Sequence, residues 1–262
     1  MSIRGKSTFS VPFRHLIISI IVALVVAALV FFIWFPGPLV DFAGGQKILW
    51  ILVGVDVVCG PLLTLLLYRP AKSRLALIID LGMIAAIQLA ALGYGLHTLA
   101  QARPLAFVFE VDRFRMVTYA DIQEDDRKHL PYWFAPWSLN RARTLGLSPA
   151  QSSDERLTII NDSLHGIEAG QRPKHWGDYS ASISKVLTRA KPITVLREKY
   201  PQHDPLINKA IDTALRDIDA GEVSDGNSLA WIPLVSRNSL EWVVLLDPKS
   251  GRIRGYIPLD GF

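Results

Sequence analysis

The sequence predicts three membrane-spanning α-helices followed by an α+β domain. Two observations support this fold class: long apolar stretches occupy the first 102 residues, and shorter strand-like and helix-like patterns fill the remainder. The charge distribution agrees. Residues 1–102 contain seven Lys or Arg and three acidic residues, whereas residues 103–262 contain 21 of each kind. The net charge of +4 therefore lies in the most apolar part of the chain, which is typical of a membrane protein and not of a nucleic-acid-binding protein.

Three stretches have the length that crossing a bilayer requires, roughly 20 apolar residues. They cover about residues 16–35, 47–68 and 75–99. The first is not interpreted as a cleaved signal peptide, because its apolar core is too long and no small-residue cleavage site follows it. Residues 1–102 are therefore assigned to a membrane domain and residues 103–262 to a separate α+β domain.

The positions of the basic residues predict the orientation of the spans. Arg4, Lys6 and Arg14 precede the first span, and three more bases lie between the second and third spans, whereas the loop after the first span is neutral. Since basic loops remain on the cytoplasmic side, the N-terminus is predicted to be cytoplasmic and the C-terminal domain to be periplasmic, on a bacterial inner membrane. The single cysteine, Cys59, lies inside the second span, so the sequence predicts neither a disulfide framework nor a Cys-based zinc site.

Polar residues inside the spans require hydrogen-bonding partners. If the second and third spans form an antiparallel hairpin, residues at equal depth have numbers that sum to about 143 or 144, which pairs Asp56 with Gln88 and Thr64 with Asp80. Arg74, about 9 Å along the helix, is a further candidate partner of Asp80. Two interpretations remain open: these residues hold the hairpin together, or Asp56 recognises a helix of a partner protein.

Small residues mark two further positions. Gly82, Ala86 and Ala90 recur every four residues in the third span, which predicts a flat stripe that another helix can approach closely. The stripe is filled either by the other two spans or by a helix of another protein. Gly60 and Pro61 interrupt the second span and are predicted to kink it or to loosen its hydrogen bonding.

Strands are predicted at both ends of the C-terminal domain. An N-terminal hairpin is expected from residues 105–111 and 114–119, and a C-terminal meander from residues 229–236, 240–247 and 252–259. The aromatic segment between Pro131 and Trp137 is expected to pack in the core.

Three helices are predicted between these strands. The first follows a capping box at Ser152 and Glu155, and its expected inward face is Leu157, Ile160, Leu164 and Ile167. The second is capped by Asp178, with Ile183, Val186, Leu187 and Ala190 inward and Pro192 just beyond its end. The third begins at Asp204 and Pro205 and extends to Gly221, with Ile207, Ile211, Ala214, Leu215 and Ile218 on one face.

The sequence offers no candidate catalytic residues. The sequence contains no phosphate-binding loop, no dinucleotide-binding glycine motif and no metalloprotease or hydrolase signature. His165 and His175 do not have metal-ligand spacing, and the segment from Ser224 to Ser228 lacks the later glutamate of a calcium loop. The prediction is therefore a protein without catalytic, cofactor-binding or metal-binding residues.

Several motifs, in order, resemble the type IV pilin accessory proteins, the TfpX/TfpZ group of fimbrial assembly chaperones. The resemblance covers about residues 30–120 and rests on Trp34-Phe35-Pro36-Gly37-Pro38, the run from Gly54 to Thr64, Ile79-Asp80-Leu81, the run from Gln88 to Gly95, and Arg103-Pro104 followed by the run from Glu110 to Phe114. It implies an inner-membrane protein that acts on one major pilin as a chaperone and promotes its stability or incorporation into type IV pili. It implies no cofactor and no catalytic residues.

The expected partners are the membrane helix and periplasmic head of the major pilin, other inner-membrane components of pilus assembly and the lipid bilayer, but no nucleic acid. Two other functions remain open at this point. One is a membrane-anchored periplasmic enzyme that modifies pilin or envelope polymers. The other is a subunit of a periplasmic sensing complex, which would need a separate cytoplasmic partner because the predicted cytoplasmic segments are short.

Overall fold

The computed structural model describes residues 10–69 and 71–262, so Arg4 and Lys6 lie outside the described residues. The chain divides into two compact units, Met1–Arg103 and Pro104–Phe262. Three apolar helices long enough to span a membrane, followed by a unit built on a β-sheet, confirm the coarse architecture that the sequence predicts.

The first unit consists of helices α1 (Ser10–Trp34), α2 (Gly45–Leu67) and α3 (Arg74–Ala102). A one-turn helix, Leu39–Phe42, lies in the connection between α1 and α2. The last turns of α1, Leu29–Trp34, and the middle of α2, Val55–Cys59, are wound as π-helix. At the start of α3, the Ser73 hydroxyl accepts a hydrogen bond of 3.2 Å from the backbone N–H of Ala76, which satisfies one of the free donors of the first turn.

The second unit is built on one mixed sheet. Its strands are β1 (Pro104–Phe109), β2 (Phe114–Thr118), β3 (Arg143–Leu147), β4 (Trp176–Gly177), β5 (Lys191–Pro192), β6 (Ala230–Val235), β7 (Trp242–Leu246) and β8 (Ile253–Ile257). Their spatial order is β4-β3-β1-β2-β6-β7-β8, with β5 paired to one end of β6. The hairpin β1–β2 and the meander β6–β7–β8 are antiparallel, as predicted. A parallel pairing of β2 with β6 joins these two halves of the sheet.

The helices of the second unit are α4 (Ser153–Leu164), α5 (Ile183–Arg189), α6 (Ile193–Lys199) and α7 (Asp204–Ala214), with a one-turn helix at Glu124–Arg127. Helices α6 and α7 pack on the meander and form the larger core cluster with Trp231, Val243, Leu245 and Ile257. A second cluster lies around β1 and β2 and includes Leu105, Val108, Val117, Ile122 and Phe134.

An ionic cluster fastens the segment after α7 to the turn between β7 and β8. The Arg252 guanidinium donates two hydrogen bonds of 2.7 Å to the Glu222 carboxylate, which also accepts from the Ser250 hydroxyl at 2.9 Å and from the Asp219 N–H at 3.0 Å. These bonds, foremost those from Arg252, hold the pKa of Glu222 at about 2, below its ordinary value of 4.5. The fully buried Arg254 donates hydrogen bonds of 3.1 and 2.7 Å to the carbonyl of Ala214 and thereby caps the end of α7.

The predicted inward face of α4 is wrong. Leu157, Ile160 and Leu164 have exposed fractions of 65%, 58% and 80%. The side of α4 that faces the unit is polar instead: Glu155 lies 3.3 Å from the ring of the buried His175, and Asp162 lies 2.6 Å from Arg172. Only half of the predicted capping box forms: the Ser152 hydroxyl accepts from the Glu155 N–H at 3.1 Å, but the Glu155 carboxylate accepts from the Gln151 N–H and not from that of Ser152. Helix α4 is therefore attached through polar contacts, including the ion pair of Asp162 with Arg172, and directs its apolar side chains outward.

Other elements differ from the prediction in extent. The aromatic segment is only partly in the core: Phe134 is buried, but Tyr132 and Trp137 are exposed. The third predicted helix ends at Ala214 and leaves Ile218 exposed. Strand β3 and helix α6 were not predicted. Strand β3 was missed because leucines at 145 and 147 are its only apolar side chains. Helix α6 was missed because Pro192, directly after which it begins, was expected to mark only the end of the helix before it.

Candidate functional site

Polar side chains link the three long helices of the first unit at two levels. His15 Nδ1 of α1 lies 2.6 Å from Thr64 Oγ1 of α2, which links these two helices. Between α2 and α3, the Gln88 amide donates a hydrogen bond of 3.2 Å to the backbone oxygen of Asp56. The helices thus contact one another through hydrogen bonds as well as through apolar packing, as is common for helices in membranes.

Pro61 explains why the Asp56 carbonyl needs a donor from another helix. In the π-helical segment Val55–Cys59 the bonding pattern is shifted by one residue, so that the Gly60 N–H donates to the oxygen of Val55, five residues earlier. The oxygen of Asp56 would then accept from residue 61, and proline has no N–H. The side-chain amide of Gln88 supplies the missing hydrogen bond.

Gly60 makes room for this bond. A Cβ atom at residue 60 would lie 2.0 Å from Gln88 Nε2, so any larger residue would displace the amide. Gly95 of α3 has a similar role further along, because a Cβ there would lie 2.7 Å from Leu52 Cδ1 of α2. Glycines on both helices therefore set the close approach of α2 and α3.

A cavity of about 200 Å³ lies beside this contact and is bounded by all three helices. Its walls are mostly apolar and include Ile18, Val22, Ala85, Leu89 and Leu92. Its polar lining consists of His15, Ser19, Asp56 and Gln88. His15 and Ser19 were not predicted to belong to a site. The signal that could have found them is their spacing of four residues, which places both on one face of α1.

Asp56 is the exceptional residue of this cavity. Its exposed fraction is 5%, and no described residue forms a hydrogen bond with its Oδ1 atom. An ionisable side chain at the centre of a membrane helix costs about 2.5–3.5 kcal/mol, and such residues normally face a partner or a polar cavity. The predicted proximity of Gln88 is observed, but Gln88 bonds to the backbone of Asp56 and leaves its carboxylate oxygen unpaired.

The predicted pairing of Thr64 with Asp80 is wrong. Thr64 bonds to His15, and Asp80 forms an ion pair with Lys72, which precedes the first turn of α3. Lys72 rather than Arg74 therefore neutralises Asp80. The equal-depth rule fails near the ends of α2 and α3 because each polar group there finds a closer partner, on α1 or on the connecting loop.

The small-residue stripe of α3 lies on the opposite side of that helix from Gln88. Gly82, Ala86 and Ala90 are all exposed, and a Cβ atom at Gly82 would meet no other atom within 4 Å. Helices α1 and α2 therefore do not fill the stripe.

In the second unit, an open cleft of about 510 Å³ beside β3 is lined by Trp133, Trp176, Tyr179 and Arg143 among others. Over the described ranges 10–69 and 71–262, no group of three or more His, Cys, Asp or Glu side chains is placed to hold a metal ion. The polar cavity of the first unit remains the candidate site, because it alone among the described cavities combines three helices with a buried carboxylate oxygen that has no hydrogen-bond partner.

Three membrane-length helices joined to an α+β unit define a membrane-associated protein with a globular domain. Comparison with known proteins identifies the family. The chain is 33% identical to the fimbrial assembly protein of serogroup E1 and 32% identical to that of serogroup I, both from Dichelobacter nodosus, over 95% of this chain and 93% of each relative.

A third Dichelobacter nodosus relative, the fimbrial assembly protein of serogroups C1 and C2, is 42% identical over 43% of this chain and 86% of its own length. The family described as fimbrial assembly protein FimB matches residues 4–44. No solved structure matches the chain. The chain belongs to the fimbrial assembly protein family, and its role is in fimbrial assembly.

Proposed function

We propose that this protein is a non-catalytic accessory factor of the bacterial inner membrane that binds one major pilin and promotes its stability or its incorporation into type IV pili. The observation that carries the proposal is the 33% identity to a fimbrial assembly protein over 95% of the chain. The three membrane-length helices support a site of action in the membrane, where the apolar segment of a pilin subunit would also reside.

The structure offers two surfaces for such a client. In the first unit, the exposed stripe of Gly82, Ala86 and Ala90 allows a partner helix to approach closely, and Asp56 and Gln88 line the polar cavity on the other side of α3. Gly60 and Pro61 lie at the contact of α2 with Gln88. The α+β unit would contact the head of the client. Binding through two linked units raises the affinity through effective concentration, so that each contact can be weak.

Deletion of the gene tests the proposal in the cell. We expect fewer surface pili, lower levels of the major pilin in the inner membrane, and unchanged secretion of unrelated periplasmic proteins. Expression of the intact chain should restore the pili. Normal piliation in the deletion strain with its own major pilin would contradict the proposal. A mass change in pilin that depends on this protein would favour the alternative function of a pilin-modifying enzyme.

The orientation is tested with alkaline phosphatase fusions, since this enzyme is active only in the oxidising periplasm. A fusion after Ala102 should be active, and a fusion after Lys72, between α2 and α3, should be inactive. The reverse result would place the α+β unit in the cytoplasm, where it could not contact the head of a pilin.

A further inference from the structure

We infer that the three-helix cavity is a binding site for a hydrogen-bond donor, an ammonium or hydroxyl group, carried by an apolar membrane helix of the client, and that Asp56 is its acceptor. The inference rests on the proposed function, because it names the chemistry by which the membrane part of the client is recognised. It starts from one observation: the buried Asp56 has a carboxylate oxygen that no described residue satisfies.

None of the other polar side chains that line the cavity, His15, Ser19 and Gln88, forms a hydrogen bond with this oxygen. The Gln88 amide donates to the backbone oxygen of Asp56, which Pro61 leaves without an N–H. His15 Nδ1 is committed to Thr64. Because an unpaired polar group is costly in the apolar part of a membrane, a donor carried by a partner helix would stabilise the carboxylate.

The depth of Asp56 decides between two sources of the donor. Asp56 lies eleven residues from each end of α2, which places it about 16 Å from either end of the helix. The head group of a lipid carries its ammonium at the membrane surface and does not reach this depth. A polar side chain on a membrane-embedded helix can reach the depth of Asp56. The apolar walls formed by Val22, Leu89 and Leu92 suit the aliphatic surface that surrounds such a group.

The test uses photo-crosslinking in native membranes with the full-length chain and the major pilin of the same strain. A photoreactive amino acid is placed at Val22, which lines the cavity, and as a control at Leu24, which is 65% exposed on the same helix and does not line it. We expect a pilin crosslink at Val22 that exceeds the one at Leu24. Asp56→Leu should reduce the Val22 crosslink about three- to thirty-fold, the range of an interhelical hydrogen bond in a membrane. Asp80→Asn, which removes a carboxylate paired with Lys72 outside the cavity, should change it less than two-fold.

Two further variants separate binding from folding. In a Cys59→Ser background, a disulfide between cysteines at Leu52 and Gly95 reports the packing of α2 on α3 away from the cavity, and it should form equally with and without Asp56→Leu. If Asp56→Leu prevents that disulfide, the variant Ala85→Phe is used in place of Asp56→Leu. The phenylalanine side chain fills the cavity, while the Asp56 carboxylate stays in place. Ala85→Phe should also abolish the Val22 crosslink to pilin.

The results distinguish the inference from the proposed function. An equal Val22 crosslink in Asp56→Leu and wild type overturns the inference. An Asp56-dependent crosslink to lipid instead of pilin also overturns it. A pilin crosslink at Ala86 on the exposed stripe without one at Val22 overturns the inference and leaves the proposed function intact. The absence of a pilin crosslink at all three positions, together with normal piliation in the deletion strain, overturns both.

Discussion

Removal of the Glu222 carboxylate should lower the free energy of unfolding of the α+β unit by about 2 kcal/mol. The side chain of Glu222 is 3% exposed and that of its partner Arg252 is 31% exposed. Breaking a fully buried ion pair costs about 3–5 kcal/mol, and breaking a surface pair costs about 0–1 kcal/mol. The partly exposed Arg252 can recover contact with water when Glu222→Gln removes its partner, so the expected cost lies between these limits.

Urea unfolding of the detergent-solubilised protein measures this change through tryptophan fluorescence, because five of the seven tryptophans lie in the α+β unit. A loss of about 2 kcal/mol should lower the midpoint by about 1 M urea. Asp217→Asn is the matched control: Asp217 contacts the same Arg252, but its side chain is 85% exposed, and the expected loss is below about 0.5 kcal/mol.

The effect should depend on pH in a defined direction. The pKa of Glu222 is lowered in the folded state to about 2 from 4.5, so the carboxylate contributes stability above pH 4.5 and loses that contribution as the pH falls towards 2. The difference in midpoint between wild type and Glu222→Gln should therefore be larger at pH 7 than at pH 3. Equal midpoints at pH 7, or a difference that stays constant down to pH 3, would refute the assignment of Glu222 and Arg252 as a stabilising pair.

Two further predictions use matched substitutions. Gly60→Ala should displace the Gln88 amide and lower the temperature at which the solubilised protein aggregates. Gly82→Ala is the control and should leave that temperature unchanged, because a Cβ atom at residue 82 would meet no other atom within 4 Å. Equal aggregation temperatures of the two variants would contradict the observed contact of α2 with α3. Leu196→Ala removes a fully buried side chain and should lower the free energy of unfolding in urea by about 2–5 kcal/mol. Leu164→Ala removes a side chain that is 80% exposed and should lower it by less than about 0.5 kcal/mol. A large effect at Leu164 would mean that α4 turns its apolar face inward.

The sequence was most informative where one physical signal dominated. The three membrane-length helices were predicted from their apolar length, and the β1–β2 hairpin and the C-terminal meander were predicted from short apolar runs. Helix α4 was misoriented because its apolar residues were assumed to face the core. Its orientation is instead set by the partners of Glu155 and Asp162, and residues so far apart in sequence cannot be matched from spacing.

The site shows a similar division. Residue numbers correctly predicted that Gln88 lies at the level of Asp56. Residue numbers could not predict that Gln88 bonds to the backbone oxygen of Asp56. That bond depends on the one-residue shift of hydrogen bonding in the π-helical segment before Pro61. The spacing of small residues identified the stripe of α3, but which side of α3 faces α1 and α2 is a matter of packing among three helices.

The parallel pairing of β2 with β6 has a consequence for how the protein is made. Phe114 lies beside Leu234 and Arg115 beside Val235, so adjacent strands are separated by about 120 residues of chain. Strand β2 is synthesised long before β6. Until β6 is made, the edge of β2 that pairs with β6 stays unpaired and can pair with strands of other chains. Pairing across so long a loop is intrinsically slow. The nascent α+β unit therefore passes through an interval in which it is itself exposed to aggregation, until its last strands emerge.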